Sequence, residues 1–137
     1  MTRKTPMQVR RLSEIEGTER DVTAATGAWR SKRILLASDG LGYSLSETVV
    51  YAGTETDICY ANHIEAVFCI SGRMILVDRD ENKEHIIEPG TLHILDDADN
   101  HTIKPIVDST FLCIFTPPLT GREDHDADGV YPLLTDE

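Results

Sequence analysis

The stretch Asn62-His63-Ile64-Glu65-Ala66-Val67-Phe68-Cys69-Ile70-Ser71-Gly72 decides how this chain is read, and it lies at the centre of a longer segment from Gly53 to His101. Alternation puts Glu65, Val67 and Cys69 on one face and Ala66, Phe68 and Ile70 on the other, which is a strand with a carboxylate at its start. Six residues separate Glu65 from Gly72, the glycine that breaks the strand into a turn. Further on, Thr91, His93 and Leu95 share a face, and the acidic run Asp96-Asp97-Ala98-Asp99-Asn100 leads into His101 at the head of another strand. A carboxylate and two imidazoles can therefore converge from separate strands on one interior.

Working outward, short apolar runs separated by Gly, Pro, Asn or Asp recur along the chain. They predict strands at Lys32–Ser38, Tyr43–Tyr51, Asp57–Tyr60, Ala66–Ile70, Met74–Asp78, His85–Glu88, Thr91–Leu95, Thr102–Ile106 and Thr110–Thr116, with a short edge strand at Val9–Leu12. Ser13-Glu14-Ile15-Glu16-Gly17 reads as one helical turn between a capping serine and a terminating glycine, and Thr18–Gly27 as irregular. Many short strands with one or two helical turns imply an all-β protein, an antiparallel sandwich or jelly-roll barrel. The expected organisation is a flexible tail over residues 1–8 and a single barrel domain over 9–137, in which 117–137 forms a C-terminal tail or lid.

Composition narrows the function. With 137 residues the chain makes one domain. A formal charge of −11 argues against nucleic acid or anionic lipid as a partner, since phosphates demand clustered Lys and Arg. No segment has the length of a membrane span and the start lacks a secretory pattern, so a cytoplasmic protein is expected. The three cysteines, Cys59, Cys69 and Cys113, lie in apolar surroundings without CxxC spacing and are expected to be reduced and packed.

Two histidines and one carboxylate with open positions suit non-haem Fe(II), and zinc or manganese are the alternatives. The competing reading of Glu65 is a solvated carboxylate at a strand edge, and that of His93 a satisfied core histidine.

The glutamate, six residues and a glycine are one half of the signature of the cupin barrels, and His101 falls where their second motif ends. Ile58 and Tyr60 stand where the full cupin pattern has histidines. The chain resembles one cupin family over nearly its whole length. Gly27-Ala-Trp-Arg-Ser-Lys-Arg33, Tyr51-Ala-Gly-Thr-Glu-Thr56, Tyr60-Ala-Asn-His-Ile-Glu-Ala66 and the block Thr116-Pro-Pro-Leu-Thr-Gly-Arg-Glu-Asp-His-Asp-Ala-Asp-Gly-Val-Tyr-Pro-Leu133 are similar to ectoine synthases. The resemblance implies a cupin-type jelly-roll, an iron-dependent homodimer, and a carbon–oxygen lyase. Its reaction closes N-γ-acetyl-L-2,4-diaminobutyrate into the cyclic amidine ectoine, a compatible solute of osmotic stress, with loss of water.

Carried over by position, the resemblance implies metal ligands at Glu65 and His101, and His93 where the family has a ligating tyrosine. It implies substrate contacts at Trp29, Arg33, Thr48, Tyr60, Cys113, Phe115, Glu123 and His125, with His63, Tyr60, Glu123 and His125 as the catalytic group and Ser46 at a variable position. The chemistry suits these residue types. An acid/base group near neutrality must move protons from amine to departing oxygen, as His63 or His125 can. Arg33 suits a substrate carboxylate, Glu123 an ammonium, and Trp29, Tyr60 and Phe115 a wall that excludes water. The chain departs from the family pattern at His93 and after Gly72, where Arg73 and Met74 stand. The alternatives are a divergent cupin acting on a related N-acyl diamine or glutamine-like substrate, a solute-binding cupin without turnover, and an oxygen-activating enzyme.

Overall fold

A computed structural model describes residues 6–59, 62–96 and 99–120. A single turn of helix, α1 (Leu12–Ile15), precedes ten strands: β1 (Asp21–Thr23), β2 (Trp29–Leu35), β3 (Ser44–Val50), β4 (Thr56–Ile58), β5 (Ile64–Ser71), β6 (Met74–Asp78), β7 (Lys83–Ile87), β8 (Leu92–Leu95), β9 (His101–Pro105) and β10 (Ser109–Thr116). A 3-10 turn over Ala37–Asp39 joins β2 to β3. The strands form a six-stranded sheet in the order β1-β2-β3-β10-β5-β8 and a four-stranded sheet in the order β4-β9-β6-β7, every pair antiparallel. The chain passes repeatedly between the sheets, so the two pack face to face as an antiparallel β jelly-roll barrel.

Alternation fills the space between the sheets. Cys69, Met74, Ile87, Phe111 and Leu119 are among its most deeply buried side chains, and Val67, Leu76, Leu95 and Ile103 join them in one apolar cluster. The strand residues among them come from the inward rows, and burying such a side chain stabilises the fold by roughly 1.5–3 kcal/mol. The turn at Gly72 closes this core on one side. Its φ is +97°, and a β-carbon there would collide with Ser109, whose hydroxyl accepts the Arg73 N–H at 2.9 Å. Only glycine allows that close approach.

Two expectations are corrected near the N-terminus. Val9–Leu12 makes no edge strand. The segment is held instead by the Arg10 side chain, which donates to the Ile34 carbonyl at 2.7 Å and grips the Asp39 carboxylate at 2.7 and 3.1 Å. Thr18–Gly27 is not wholly irregular either. It contains β1, tied to β2 by a two-pronged contact of Arg30 with Asp21 at 2.8 and 2.6 Å. That pairing draws the second strand back to Trp29, three residues before its expected start, and so places Trp29, Ser31 and Arg33 in one inward row.

The other strands begin and end within a few residues of their expected limits. Among the described residues no helix is long and apolar enough to cross a membrane. Most of the expected lid, from residue 121 onward, lies outside the described residues.

Candidate functional site

Four neighbouring strands build the polar wall of the barrel interior. From β2 come Trp29 and Ser31, from β3 Ser46 and Thr48, from β10 Cys113 and Phe115, and from β5 Glu65. Their register sets them side by side. Ser31 opposes Thr48, Ser46 opposes Cys113, and Phe115 opposes Glu65. Directly opposed residues of an antiparallel pair point to the same side, so one inward row on each strand suffices to gather the group. His93, opposite Val67 on β8, and His101, at the head of β9, face the same space, with Ile58, Met74 and Ile103 as its apolar floor.

The cavity has a volume of about 60 Å³. That is several times the roughly 10–15 Å³ a single water needs, so it suits a small compact molecule. His93 and His101 also border a groove between β7 and β8, the edge strands of the two sheets, which carries Asp78, Glu84, His85 and Asp99.

Burial governs the titration of the wall. Glu65 is 5 % exposed, which excludes the solvated-edge reading. Loss of solvation pushes its carboxyl up to about 8 against the opposing effect of a Cys113 thiol hydrogen bond. The Cys113 thiol is raised by burial and by the neighbouring carboxyl. Desolvation lowers His93 to about 4, with His101 and His85 adding like-charge pressure, and it lowers His101 too. The three candidate ligands therefore favour their neutral forms, and both imidazoles offer a lone pair.

Two contacts bear on whether these residues suit a cation. The His101 Nδ1–H donates to the Asp99 carbonyl at 3.0 Å, which leaves Nε2 as the lone-pair nitrogen, the usual arrangement of a ligating histidine. Among the described residues, His93 Nδ1 is buried without a hydrogen-bond partner. Two such imidazoles and a carboxyl are a donor set that fits a divalent first-row ion. Among the described residues no three His, Cys, Asp or Glu side chains are gathered so as to hold one. Closing the set means that Glu65 exchanges its thiol contact for the ion.

The expected site residues divide into three groups. Trp29, Thr48, Glu65, His93, His101, Cys113 and Phe115 line the cavity together with Ser46. Arg33, 1 % exposed, and His63 are buried but are not part of its lining. His63 Nδ1–H donates to the Pro117 carbonyl at 2.9 Å, and its ring meets Phe115 edge-on with centroids 5.6 Å apart. Tyr60, Glu123 and His125 lie outside the described residues. Ser31 lies within the family-like stretch Gly27–Arg33 but is absent from the expected set, although alternation between Trp29 and Arg33 marks it as inward-facing.

Comparison with known proteins places this geometry in context. Residues 7–135 match the family model described as ectoine synthase. The chain is 55 % identical over 131 residues to an L-ectoine synthase of Streptomyces anulatus, covering 96 % of this chain and 99 % of the relative. It superposes on the crystal structure of an ectoine synthase from P. lautus with a TM-score of 0.82 at 41 % identity, covering 96 % of this chain and 93 % of that one. The polyketide cyclase RemF of Streptomyces resistomycificus shares the fold, with a TM-score of 0.66 at 17 % identity over 81 % of this chain and 80 % of that one.

Proposed function

The chain belongs to the ectoine synthase family of cupins, and from that premise we propose how its own residues carry the reaction. It is a carbon–oxygen lyase that closes N-γ-acetyl-L-2,4-diaminobutyrate into ectoine with loss of water. The α-amine attacks the acetyl carbonyl carbon of the same molecule, a carbon–nitrogen bond forms, and the carbonyl oxygen departs. The two hydrogens lost by the amine leave with that oxygen as water.

The observation that carries the assignment of the site is the convergence of Glu65, His93 and His101 with the Trp29, Thr48 and Phe115 wall on one cavity. Glu65, His93 and His101 would hold the ion, iron(II) first and zinc or manganese as alternatives. When bound, it supplies Lewis-acid polarisation of the acetyl carbonyl and eases loss of its oxygen.

The chain's own groups do the rest. Trp29 and Phe115 fold the flexible substrate so that amine and carbonyl meet, and they keep out the water that would hydrolyse the acetyl group. The family resemblance assigns to His63 the movement of a proton from the amine to the leaving oxygen; its Nδ1 lies 2.9 Å from the Pro117 carbonyl and its ring packs edge-on against Phe115, which lines the cavity. The family resemblance assigns the substrate carboxylate to Arg33, which is buried on the inward row of β2 next to the cavity-lining Ser31, and further substrate contacts to Tyr60, Glu123 and His125, which lie outside the described residues.

The expected homodimer has a matching surface. On the outer face of the large sheet, Ile94, Ala66 and Ile114 form one cross-strand row and Leu92, Phe68 and Leu112 the next, with Ile64, Phe68, Ile70, Leu92, Ile94 and Ile114 exposed. An apolar face of this kind on a folded protein marks a contact surface, here for a second copy. Sedimentation of the wild type as a dimer and of Phe68→Lys as a monomer is the expected result. The acidic charge and the small-molecule chemistry fit an enzyme of the cytoplasm.

The decisive assay incubates iron(II)-loaded protein with the acetylated diaminobutyrate under strict exclusion of oxygen and follows ectoine by proton NMR. Product without oxygen is expected. Product only with oxygen would mean an oxygen-activating enzyme, and binding without product a solute-binding cupin.

A further inference from the structure

The two sheets meet without pairing along one seam. β8 ends the large sheet and β7 the small one, and the short connection over residues 88–91 joins them. The groove between them has a volume of about 660 Å³ and carries Asp78, Glu84 and Asp99, with no lysine or arginine among its described lining residues. His93 and His101 line both this groove and the interior cavity, so the two spaces share them. On β7, His85 alternates with the buried Ile87 and stands opposite the buried Leu76, so its side chain lies on the barrel side of an edge strand while remaining exposed. It is near enough for its charge to act on His93.

Size separates the two spaces. At roughly 10–15 Å³ per water, the six waters of an octahedral hydrated ion need about 60–90 Å³. They would fill the cavity of about 60 Å³ entirely and occupy only a fraction of the groove. A cation therefore sheds water between groove and cavity, and a ligand at the seam can replace that water as it leaves. Carboxylates along the groove raise the local concentration of cations, and imidazole is a good ligand for divalent first-row ions.

We propose that His85 is a loading ligand: it takes a hydrated divalent cation at the β7–β8 seam, replacing one of its waters, and hands it to His93 and His101 inside the barrel. The inference rests on the reading of Glu65, His93 and His101 as the resting metal site. A ligand used only in transit speeds entry and exit alike, so it leaves the equilibrium affinity unchanged.

The test is stopped-flow uptake of cobalt(II) by the metal-free full chain, followed by the visible absorption of the bound ion, with release into excess chelator and the urea unfolding midpoint measured beside it. His85→Gln should slow uptake and release about tenfold each, within the range over which single substitutions move association rates, and leave Kd within about twofold of wild type. His85→Asp, which keeps a ligating side chain at the seam, should recover uptake to within about threefold of wild type. Unchanged rates in His85→Gln overturn the proposal, as does a slowing that His85→Asp fails to relieve or that follows the unfolding midpoint. A weaker Kd with faster release would make His85 a resting ligand and overturn it equally. Glu65→Gln separates the two readings. If it removes the tight cobalt signal while His85→Gln loads as fast as wild type, only this inference fails. If Glu65→Gln binds cobalt as wild type does, the resting site lies elsewhere and takes the inference with it.

Discussion

Two carboxylates show how this small barrel separates stability from chemistry. Asp39 lies where the N-terminal segment crosses the β2 end, held by Arg10 at 2.7 and 3.1 Å and by Arg20 at 3.3 Å, and it accepts the Leu36 N–H at 2.8 Å. Those donors keep it far below the usual carboxylate range. Glu65, inside the barrel, has a thiol for a neighbour and is pushed up to about 8 by loss of solvation. One carboxylate is locked in its charged form by donors already present. The other is left neutral among neutral imidazoles, in a wall that a cation or a substrate can charge. A folded protein gains nothing in stability from the second arrangement, which is why strongly perturbed buried acids point to function.

The largest expected effect is on Glu65. Glu65→Gln should lower kcat/KM by about a thousandfold or more, because it removes an anionic ligand from the reacting centre. Its urea midpoint should hold or rise, since a buried ionisable group is replaced by a neutral isostere. Activity retained with stability lost would reverse the roles assigned to the two regions. Next comes His93→Tyr, which brings back the residue type of the resembling family. It should change the iron(II)-to-zinc affinity ratio by about 10–100-fold in competition dialysis. An unchanged ratio would remove His93 from the ion.

Asp39→Asn is the mirror experiment. It should cost about 2 kcal/mol in urea unfolding, from weakened charge-assisted bonds to two guanidiniums, with kcat within twofold of wild type.

The smallest effects are in pH. Asp39 has a depressed value when folded, so its stabilisation is present above its ordinary value near 3.8 and is lost as pH falls through that range and below it. Glu65 has the opposite sign. Metal-free protein keeps the Glu65 proton where the unfolded chain has lost it, so stability should decline as pH rises from about 4.5 to about 8. Ion binding should tighten over the same interval, because the carboxyl must lose its proton to ligate. Asp39→Asn should flatten the acid limb alone and Glu65→Gln the upper one alone, and a variant that altered both limbs would show the two regions to be coupled.

Most of the barrel was legible in the sequence because period-two alternation and turn residues are local signals. Glu65, Val67 and Cys69 share one face by alternation and lie on one face in the fold. The departures are tertiary. Nothing near Val9 announces that Arg10 will reach Asp39, 29 residues away, in place of a strand ladder. Asp21–Thr23 is too polar and short to read as a strand until Arg30 folds back onto it. Ser31 stands in the family-like stretch Gly27–Arg33, and alternation turns it inward, but nothing local names what it faces. Its meaning comes from the register that sets it opposite Thr48. Arg33 and His63 show the limit of carrying roles over by position, since both are buried while the cavity lining passes them by.

The central claim is that Glu65, His93 and His101 close on one cation inside the barrel. Crystals of the iron(II)-loaded protein, grown anaerobically and measured across the iron absorption edge, test it directly. The prediction is a single anomalous peak within roughly 2.0–2.3 Å of a Glu65 carboxylate oxygen and of one nitrogen each from His93 and His101. A peak elsewhere, for instance on His85 and Asp78 in the groove between β7 and β8, with Glu65 still on the Cys113 thiol, would contradict it.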